Sequence, residues 1–503
     1  MTTVETTLGS VAGTTHDDIH VFKGIPYAAP PVGALRFRAP QPAESWTGVR
    51  DATRYGPTAP QTPSPMEQMF GGPVPEQSEA DCLTLNIFTP APDGAKRPVM
   101  VWIHGGAFVT GSGSTPWYDG TSFARNGDVV LVTINYRLGA LGFLHLDELG
   151  GDAFAGSGSG NVGILDQVAA LEWVRDNIEA FGGDPNNVTA FGESAGAMSV
   201  GTLLGLPSAK GLFVKAIPQS GAAHHAREPE AATDIARQFL AEAGLTADAD
   251  GVARLQELPL ADVMAAQAAL LPKTAASGGL AFAPVVDGIV LPQAPIDAIG
   301  AGSATDVAIL IGTTRDEMKL FGMLDPGLND LDDAKMLRRA AAALKDETRA
   351  AALLDTYKAS RPDASPAELW SAISTDQVFR IPATRLAERQ SALGNTVYMY
   401  RFDWATPVFG GQLGACHALE IPFVFNNLDA PGSSMFTGPA SDEMVAMAEA
   451  MHTAWHTFAR TGQPGGGWPQ YSAGDRKVMR FDLASDVVDD PDRAEREAWE
   501  GLL

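Results

Sequence analysis

The chain has 503 residues, and 45% of them are hydrophobic, which is enough for a large core and excludes an intrinsically disordered protein. Its 60 acidic and 35 basic residues give a formal net charge of −25, which argues against binding to nucleic acids or anionic membranes. The N-terminal residues lack the basic and apolar segments of a signal peptide, no apolar run is long enough to span a membrane, and only Cys82 and Cys416 occur, so we expect a reduced cytoplasmic protein.

Short β-branched segments alternate with longer helical segments along the chain. The predicted strands, in chain order, are Val99–Ile103, Val129–Ile134, Val188–Phe191, Val214–Pro218, Val307–Ile311, Val397–Phe402 and Val478–Phe481. The predicted helices include Leu165–Ala180, Pro229–Ala243, Ala334–Ala352 and Asp442–Arg460. This alternation predicts an α/β fold, with a mostly parallel central sheet covered by helices on both faces.

Two Ala- and Leu-rich helical blocks, at about 225–300 and 325–395, interrupt this alternation. We interpret them as helical insertions over the C-terminal edge of the sheet, within a single domain that comprises residues 1–503. Sheets of this kind bind their ligands at that edge, so we expect the functional site there.

The run FGESAG at residues 191–196 follows a predicted strand and leads into a helix of small residues. Gly-x-Ser-x-Gly in that context is typical of a nucleophile elbow. The serine occupies a strained turn, and glycines at 192 and 196 allow the neighbouring backbone to approach closely. Because this turn presents Ser194 Oγ at a helix N-terminus, Ser194 is the candidate nucleophile.

The run HGGAF at residues 104–108 comes directly after the predicted strand Val99–Ile103. Such a loop supplies backbone N–H groups to an oxyanion hole. We therefore predict that the N–H groups of Gly106, Ala107 and Ala195 stabilise a developing oxyanion. One donor of this kind contributes about 3 kcal/mol to the transition state.

A serine nucleophile needs a base, and the base needs an acid that orients it. His417 lies after a Gly-rich loop and is the preferred base among the nine histidines. Asp316 and Glu317 follow the predicted strand Val307–Ile311, and spacing does not separate these two acids. The order serine, acid, histidine matches that of α/β-hydrolases.

Two pairs of histidines are considered as possible metal ligands. His452 and His456 are four residues apart on a predicted helix, and His224 is adjacent to His225. The sequence offers no evident third ligand for the pair on the helix, so we expect core or surface positions there, and a pocket-wall or surface role for the other pair. The predicted chemistry needs neither a metal nor an organic cofactor.

These motifs resemble those of the type-B carboxylesterase family of α/β-hydrolases, which includes the cholinesterases and the bacterial para-nitrobenzyl esterases. The bacterial branch is the most similar. Further matching segments extend over nearly the whole chain: FKGIPYA (22–28), DCLTLN (81–86), NYRLG (135–139), GILDQ (163–167), FGGDP (181–185), QSG (219–221) and HALEIPFVF (417–425). The resemblance implies an α/β-hydrolase fold.

The resemblance also implies roles for individual residues. The implied triad is Ser194, Glu317 and His417. Glu317 is preferred because the family uses the second acid of its Asp-Glu pair. Ser220 matches a serine that supports the triad, and Arg137 and Asp166 match a structural ion pair.

The chain departs from the family pattern near Cys82. Where relatives have an acid that pairs with the arginine at position 36, this chain has Ala80, so the ion pair of Arg36 requires Glu79 to replace that acid. Cys82 matches a half-cystine of animal relatives but has no cysteine before it, so we expect a free buried thiol.

The function implied is that of a serine carboxylesterase, which hydrolyses neutral esters with short to medium acyl or aryl groups through an acyl-enzyme. A carbamate or amide hydrolase with the same triad is an alternative, and a non-catalytic binding module is a second alternative that the intact triad disfavours. We expect activity to rise with pH as His417 loses its proton, with a midpoint on the order of 6 to 7.

The substrate pocket is expected to be apolar. Its predicted lining residues are Phe108, Met66, Met69, Phe70, Met318 and Phe321. For the last two, ordinary helix core is an equal alternative. The expected partner is a small-molecule ester, and both a monomer and a small homo-oligomer fit the sequence.

Overall fold

The computed structural model describes residues 1–63, 76–275, 279–328 and 330–502, and its central feature is a sheet of 13 strands. The strands are β1 (Thr2–Thr6), β2 (Gly9–His16), β3 (Ile19–Pro26), β4 (Val49–Asp51), β5 (Thr84–Thr89), β6 (Arg97–Ile103), β7 (Val130–Ile134), β8 (Gly183–Glu193), β9 (Lys215–Gln219), β10 (Ala308–Thr314), β11 (Val397–Phe402), β12 (Lys477–Phe481) and β13 (Asp486–Asp489).

The helices cover this sheet. They are α1 (Thr121–Gly127), α2 (Gly139–Phe143), α3 (Val162–Asn177), α4 (Ala195–Gly205), α5 (Pro229–Glu242), α6 (Ala249–Glu257), α7 (Leu260–Ala275), α8 (Pro295–Gly300), α9 (Met318–Gly322), α10 (Asp333–Leu344), α11 (Glu347–Ser360), α12 (Pro366–Thr375), α13 (Ile381–Ala392), α14 (Ile421–Val424), α15 (Ser434–Thr437), α16 (Asp442–Thr461) and α17 (Arg493–Ala498). None of the helices in the described ranges is long and apolar enough to cross a membrane.

The sheet is parallel in its centre and antiparallel at both ends. The strand order is β1-β2-β3-β5-β7-β6-β8-β9-β10-β11-β12-β13, and β4 pairs with β2. Strands β6 to β12 run parallel to one another. Strands β1, β2, β3 and β5 form antiparallel pairs that end at β7, and β12 and β13 are also antiparallel. Each predicted strand corresponds to one strand of the parallel part, so the prediction of a mostly parallel, helix-covered sheet is confirmed.

Strand β6 lies at the centre of the sheet and is buried on both faces. Val99, Val101 and Ile103 pack into one hydrophobic core, whereas Met100 and Trp102 pack into the core on the opposite face. This division follows from the two-residue repeat of a β-strand, whose successive side chains point to opposite faces. A strand with two covered faces must be apolar throughout, which is why the sequence predicted it.

One predicted helix, Ala334–Ala352, is wrong. The chain forms two helices instead, α10 and α11, which are separated at Lys345, where the backbone has a left-handed φ of 53°. Asp346 then begins α11 as an N-cap, since its carboxylate accepts a hydrogen bond from the backbone N–H of Arg349 at 3.0 Å. Such a cap satisfies an N–H group that has no partner within the helix.

After β9 and again after β10, the chain forms several helices before it returns to the sheet. Helices α5 to α8 lie between β9 and β10, and α9 to α13 lie between β10 and β11. A smaller hydrophobic cluster joins helices α10 to α13 to Trp499, which follows α17 and donates through Nε1 to the hydroxyl of Tyr357 at 2.8 Å.

Two buried ion pairs join distant parts of the chain. Arg36 binds Glu79 through two hydrogen bonds of 2.6 and 2.7 Å, so Glu79 takes the place of the acid that is missing at Ala80. Arg137 binds Asp166 with Nε–Oδ2 and Nη2–Oδ1 distances of 2.8 and 2.7 Å. In both pairs the guanidinium donates two hydrogen bonds to the carboxylate. This bidentate geometry best compensates for the free-energy cost of removing the charges from water.

Candidate active site

The carboxyl ends of the parallel strands bring four segments together. The loop 104–108 follows β6, Ser194 follows β8, Glu317 follows β10, and the loop that contains His417 follows β11. Because parallel strands end at the same edge, the topology alone places these four segments side by side.

Ser194 occupies the strained turn that the sequence predicts. Its φ and ψ are 56° and −124°, a region that non-glycine residues rarely occupy. A Cβ atom on Gly192 or Gly196 would overlap the carbonyl oxygen of Ile103, so both positions require glycine. Ser194 is partly exposed and precedes the first residue of α4.

The loop after β6 approaches this serine closely. A Cβ atom on Gly105 would lie 3.0 Å from Ser194 Cβ. Gly106 and Ala107 have positive φ angles of 111° and 54°, and their N–H groups donate to no acceptor among the described residues. Ala195 is the first residue of α4, so its N–H group has no partner within the helix. These are the properties that oxyanion donors require.

Glu317, and not Asp316, binds the candidate base. The Oε2 atom of Glu317 lies 2.6 Å from His417 Nδ1, and Oε1 accepts the backbone N–H of Thr314 at 2.8 Å. Glu317 is fully buried, so both of its oxygens are held by the protein. A carboxylate in this position orients the imidazole and stabilises its cation.

The opposite side of the imidazole contacts a residue that the sequence analysis did not single out. His417 Nε2 lies 3.0 Å from Glu193 Oε1, and Glu193 is buried at the end of β8. Within the described residues, Ser194 Oγ has no hydrogen bond to His417, and in unliganded sites this bond is often long. The acid that precedes the serine in the GESAG run is the signal that could have revealed Glu193.

The two carboxylates change the proton affinity of His417. Burial lowers the pKa of His417, but Glu193 and Glu317 raise it, and the resulting pKa is about 9. Burial also raises the pKa of Glu193, an effect that His417 opposes. The second acid beside the imidazole acts to move the activity midpoint above the sequence-based 6 to 7, and that midpoint itself stays a prediction.

A third buried acid lies behind this group. Glu420 accepts a hydrogen bond from Gln219 Nε2 at 3.0 Å, and Gln219 in turn accepts one from Trp455 Nε1 at 2.9 Å. Burial raises the pKa of Glu420 to about 7, and the charge of Glu317 adds to this effect. Three buried carboxyl groups, those of Glu193, Glu317 and Glu420, therefore affect the protonation of one another near His417.

Two aromatic rings border the imidazole. The ring centroids of Phe321 and Phe379 lie 5.1 and 4.8 Å from that of His417. Phe321, a predicted pocket residue, follows Glu317 on α9, whereas Phe379 belongs to a π-helical turn at Asp376–Arg380. Nothing in the sequence around Phe379 indicated this contact, since it is brought about by packing alone.

The other predicted pocket residues have different outcomes. Met66, Met69 and Phe70 lie outside the described residues. Phe108 is fully buried and packs its ring 4.9 Å from that of Phe143, and Met318 is partly buried against the same hydrophobic core.

Ser220 is buried next to the elbow, and its N–H group donates to Gly312 O at 2.8 Å. Its hydroxyl has no hydrogen-bond partner among the described residues, so a supporting role for this hydroxyl stays a prediction.

Of the two remaining histidine pairs, only His452 is buried, whereas His224, His225 and His456 are partly buried. His452 contacts the carbonyl oxygens of Val424 and Ser122 at 2.9 and 3.2 Å. Burial lowers the pKa values of His224 and His225 to about 4. In the described parts of the chain, no three His, Cys, Asp or Glu side chains are grouped so that they could hold a metal ion.

Comparison with known proteins extends over almost the whole chain. The model of the Carboxylesterase family matches residues 1–499. A para-nitrobenzyl esterase of Bacillus subtilis (strain 168) is 43% identical over 98% of this chain and 97% of its own length, and a phenmedipham hydrolase of Pseudarthrobacter oxydans is 38% identical over 94% of each. The crystal structure of a carboxylesterase from Geobacillus stearothermophilus superposes with a TM-score of 0.89 at 46% identity, covering 99% of this chain and 100% of the other.

Proposed function

Since the chain belongs to the carboxylesterase family, has the α/β-hydrolase fold and is a carboxylic-ester hydrolase, we propose that Ser194, Glu317 and His417 perform the hydrolysis through an acyl-enzyme. The observation that carries this proposal is the 2.6 Å hydrogen bond between Glu317 and His417 beside the strained serine turn. An imidazole oriented by a carboxylate is the arrangement that activates a serine hydroxyl.

The first step is attack of Ser194 Oγ on the ester carbonyl carbon. His417 Nε2 accepts the serine proton, and for this step it must exchange its contact with Glu193 for one with Ser194 Oγ. Glu193 and Ser194 are adjacent in the chain, so both proposed partners of Nε2 come from the turn at the end of β8. Glu317 keeps Nδ1 in place and stabilises the imidazolium that forms.

The tetrahedral intermediate carries its negative charge on the former carbonyl oxygen. The free N–H groups of Gly106, Ala107 and Ala195 are the donors proposed to bind this oxygen. The imidazolium then protonates the departing alcohol, and a water molecule, deprotonated by His417, hydrolyses the acyl-enzyme. The second tetrahedral intermediate collapses, releases the acid and returns the proton to the serine.

The proposed substrates are neutral esters with short to medium acyl or aryl groups. The net charge is −25, so the surface of the protein would repel a carboxylate-bearing ester. Phe321 and Phe379 offer apolar ring surface next to His417, which suits an uncharged acyl or aryl group.

The proposal is tested by covalent labelling together with turnover. The purified chain is treated with a fluorophosphonate, and intact mass is compared with hydrolysis of para-nitrophenyl acetate, butyrate and octanoate. We expect one adduct that abolishes turnover and that is absent from Ser194→Ala. Ser199→Ala is the matched control, since Ser199 is a buried serine of the same helix and should leave the adduct in place. An adduct that persists in Ser194→Ala would refute the proposal.

A cytoplasmic location is part of this proposal. Cys82 and Cys416 are both buried and free, and burial raises the pKa of each thiol to about 12. Proteins in oxidising compartments commonly use their cysteines in disulfides, so free thiols support a reducing compartment. Cell fractionation with an activity assay tests this, and recovery of the activity outside the cytoplasmic fraction would contradict it.

A further inference from the structure

The acid that does not bind His417 has a specific set of contacts of its own. The backbone N–H of Asp316 donates to Ala415 O at 2.9 Å, and Asp316 Oδ2 accepts the backbone N–H of Ala415 at 3.0 Å. Asp316 directly precedes Glu317, and Ala415 lies two residues before His417. The two hydrogen bonds therefore join the loop of the catalytic acid to the loop of the base, across 99 positions of the chain.

The carboxylate of Asp316 is held in its charged form. Oδ2 lies 2.9 Å from Arg315 Nη2, and Oδ1 lies 3.2 Å from Lys319 Nζ. Its side chain is only 12% exposed. Burial raises the pKa of Asp316, but Arg315, Lys319 and the N–H of Ala415 outweigh this effect, so the net pKa lies below its ordinary value. An ionised carboxylate is the stronger acceptor for the Ala415 N–H.

Gly414, which precedes Ala415, leaves room for the carboxylate of Asp316. Gly414 has a φ of +57°, and a Cβ atom there would lie 2.5 Å from Asp316 Oδ2. Any larger side chain at this position would push the carboxylate away from Ala415. The contact therefore depends on both Asp316 and Gly414.

We propose that Asp316 is a positioning residue for ester hydrolysis, which holds the loop of His417 at the distance that its bond with Glu317 requires. This inference rests on the proposed triad. Asp316 touches no reacting atom; it acts on the base through the backbone of Ala415. Since a displacement of about 1 Å in a catalytic group costs on the order of 100-fold in rate, loss of this contact should lower kcat more than it changes KM.

The test compares Asp316→Ala with Asp316→Asn, using kcat and KM for para-nitrophenyl butyrate and the rate of fluorophosphonate labelling. Asp316→Ala should lower kcat and the labelling rate by about 10- to 100-fold, with KM changed by less than about threefold. Asp316→Asn keeps an oxygen that can accept the Ala415 N–H, so it should recover part of the loss. A purely structural role would not produce this split between kcat and KM.

Asp346→Ala is the matched control. Asp346 also accepts a backbone N–H at 3.0 Å, from Arg349, but it does so at the start of α11. It should lower the melting temperature and leave kcat unchanged. If Asp316→Ala does not fold, Gly414→Ala replaces it, because it displaces the carboxylate without removing it and should give the same loss of kcat.

Three outcomes would overturn the proposal: kcat of the folded Asp316→Ala or Gly414→Ala protein within about threefold of wild type, a rise in KM alone, or a profile that matches Asp346→Ala. Failure of the proposed triad is distinguishable, because the Ser194→Ala protein would then still form the fluorophosphonate adduct. The kinetic comparison is interpreted only once labelling has been assigned to that serine.

Discussion

Replacement of Glu193 by Gln should move the pH dependence of hydrolysis to lower pH. His417 must be neutral to accept the serine proton, so activity is low below its pKa and rises above it. Glu193 stabilises the charged imidazole through the 3.0 Å contact between Oε1 and Nε2. Removal of this negative charge disfavours the imidazolium, which lowers the pKa of His417 and makes the neutral base available at lower pH.

The size of the shift follows from the structure. The pKa of His417 rises from an ordinary 6.5 to about 9, which corresponds to a net stabilisation of the cation of about 3 kcal/mol. An ionised Glu193 and an imidazolium 3.0 Å apart at an effective dielectric constant of about 20 interact by on the order of 5 kcal/mol, so the ionised form of this one carboxylate is strong enough to contribute a large part. Since Glu317 remains, we expect the midpoint to fall by about one to two pH units.

The assay is kcat/KM for para-nitrophenyl butyrate as a function of pH, read at the isosbestic wavelength of para-nitrophenol and corrected for spontaneous hydrolysis. In the wild-type protein, a His417 pKa of about 9 leaves most of the imidazole charged at pH 7, so activity should still be rising above neutral pH. Glu193→Asp is the control, because it keeps the charge and should keep most of the upward shift. A midpoint for Glu193→Gln within about 0.3 units of wild type would refute the reasoning.

Two other substitutions test stability and positioning. Arg137→Met leaves Asp166 as an uncompensated buried charge, so urea denaturation should give a free energy of unfolding lower by about 3–5 kcal/mol; a loss below about 1 kcal/mol would contradict this. Phe379→Leu removes ring contact with His417 that is worth about 0.5–1.5 kcal/mol, so kcat for the acetate ester should fall by about 2- to 10-fold, and the melting temperature should fall as well because Phe379 is buried in the core. An unchanged kcat would mean that the ring does not restrain the base.

The parallel part of the sheet could be predicted because its signals are local. Strands such as β6 and β7 are buried on both faces, so they are continuous runs of apolar, often β-branched residues. Strands β1 to β5 and β13, which lie outside the central parallel part of the sheet, were missed. Strand β1 consists mostly of polar residues and buries only Val4, so its hydrophobic pattern is too weak to indicate a strand.

The ion-pair partner of Arg36 could be identified only from the folded structure. The sequence left open whether Glu79 replaces the acid missing at Ala80. The structure answers this with a bidentate pair between Arg36 and Glu79. A one-residue shift of a partner depends on where the backbone carries each side chain, which spacing along the chain does not specify.

In the active site too, some features could be predicted from the sequence and others depend on the tertiary structure. The glycines around Ser194 and the loop after β6 are recognisable in the sequence, because a strained turn and a close backbone approach restrict the residue types that fit within a few positions. The choice between Asp316 and Glu317, the second carboxylate on His417 and the contact of Phe379 are not local. They depend on side chains up to 224 positions apart along the chain, as for Glu193 and His417 (residues 193 and 417), that meet where parallel strands end. The charges of Glu193 and Glu317, which only the fold brings beside His417, raise the pKa of the base against the lowering effect of burial, and spacing along the chain does not indicate this.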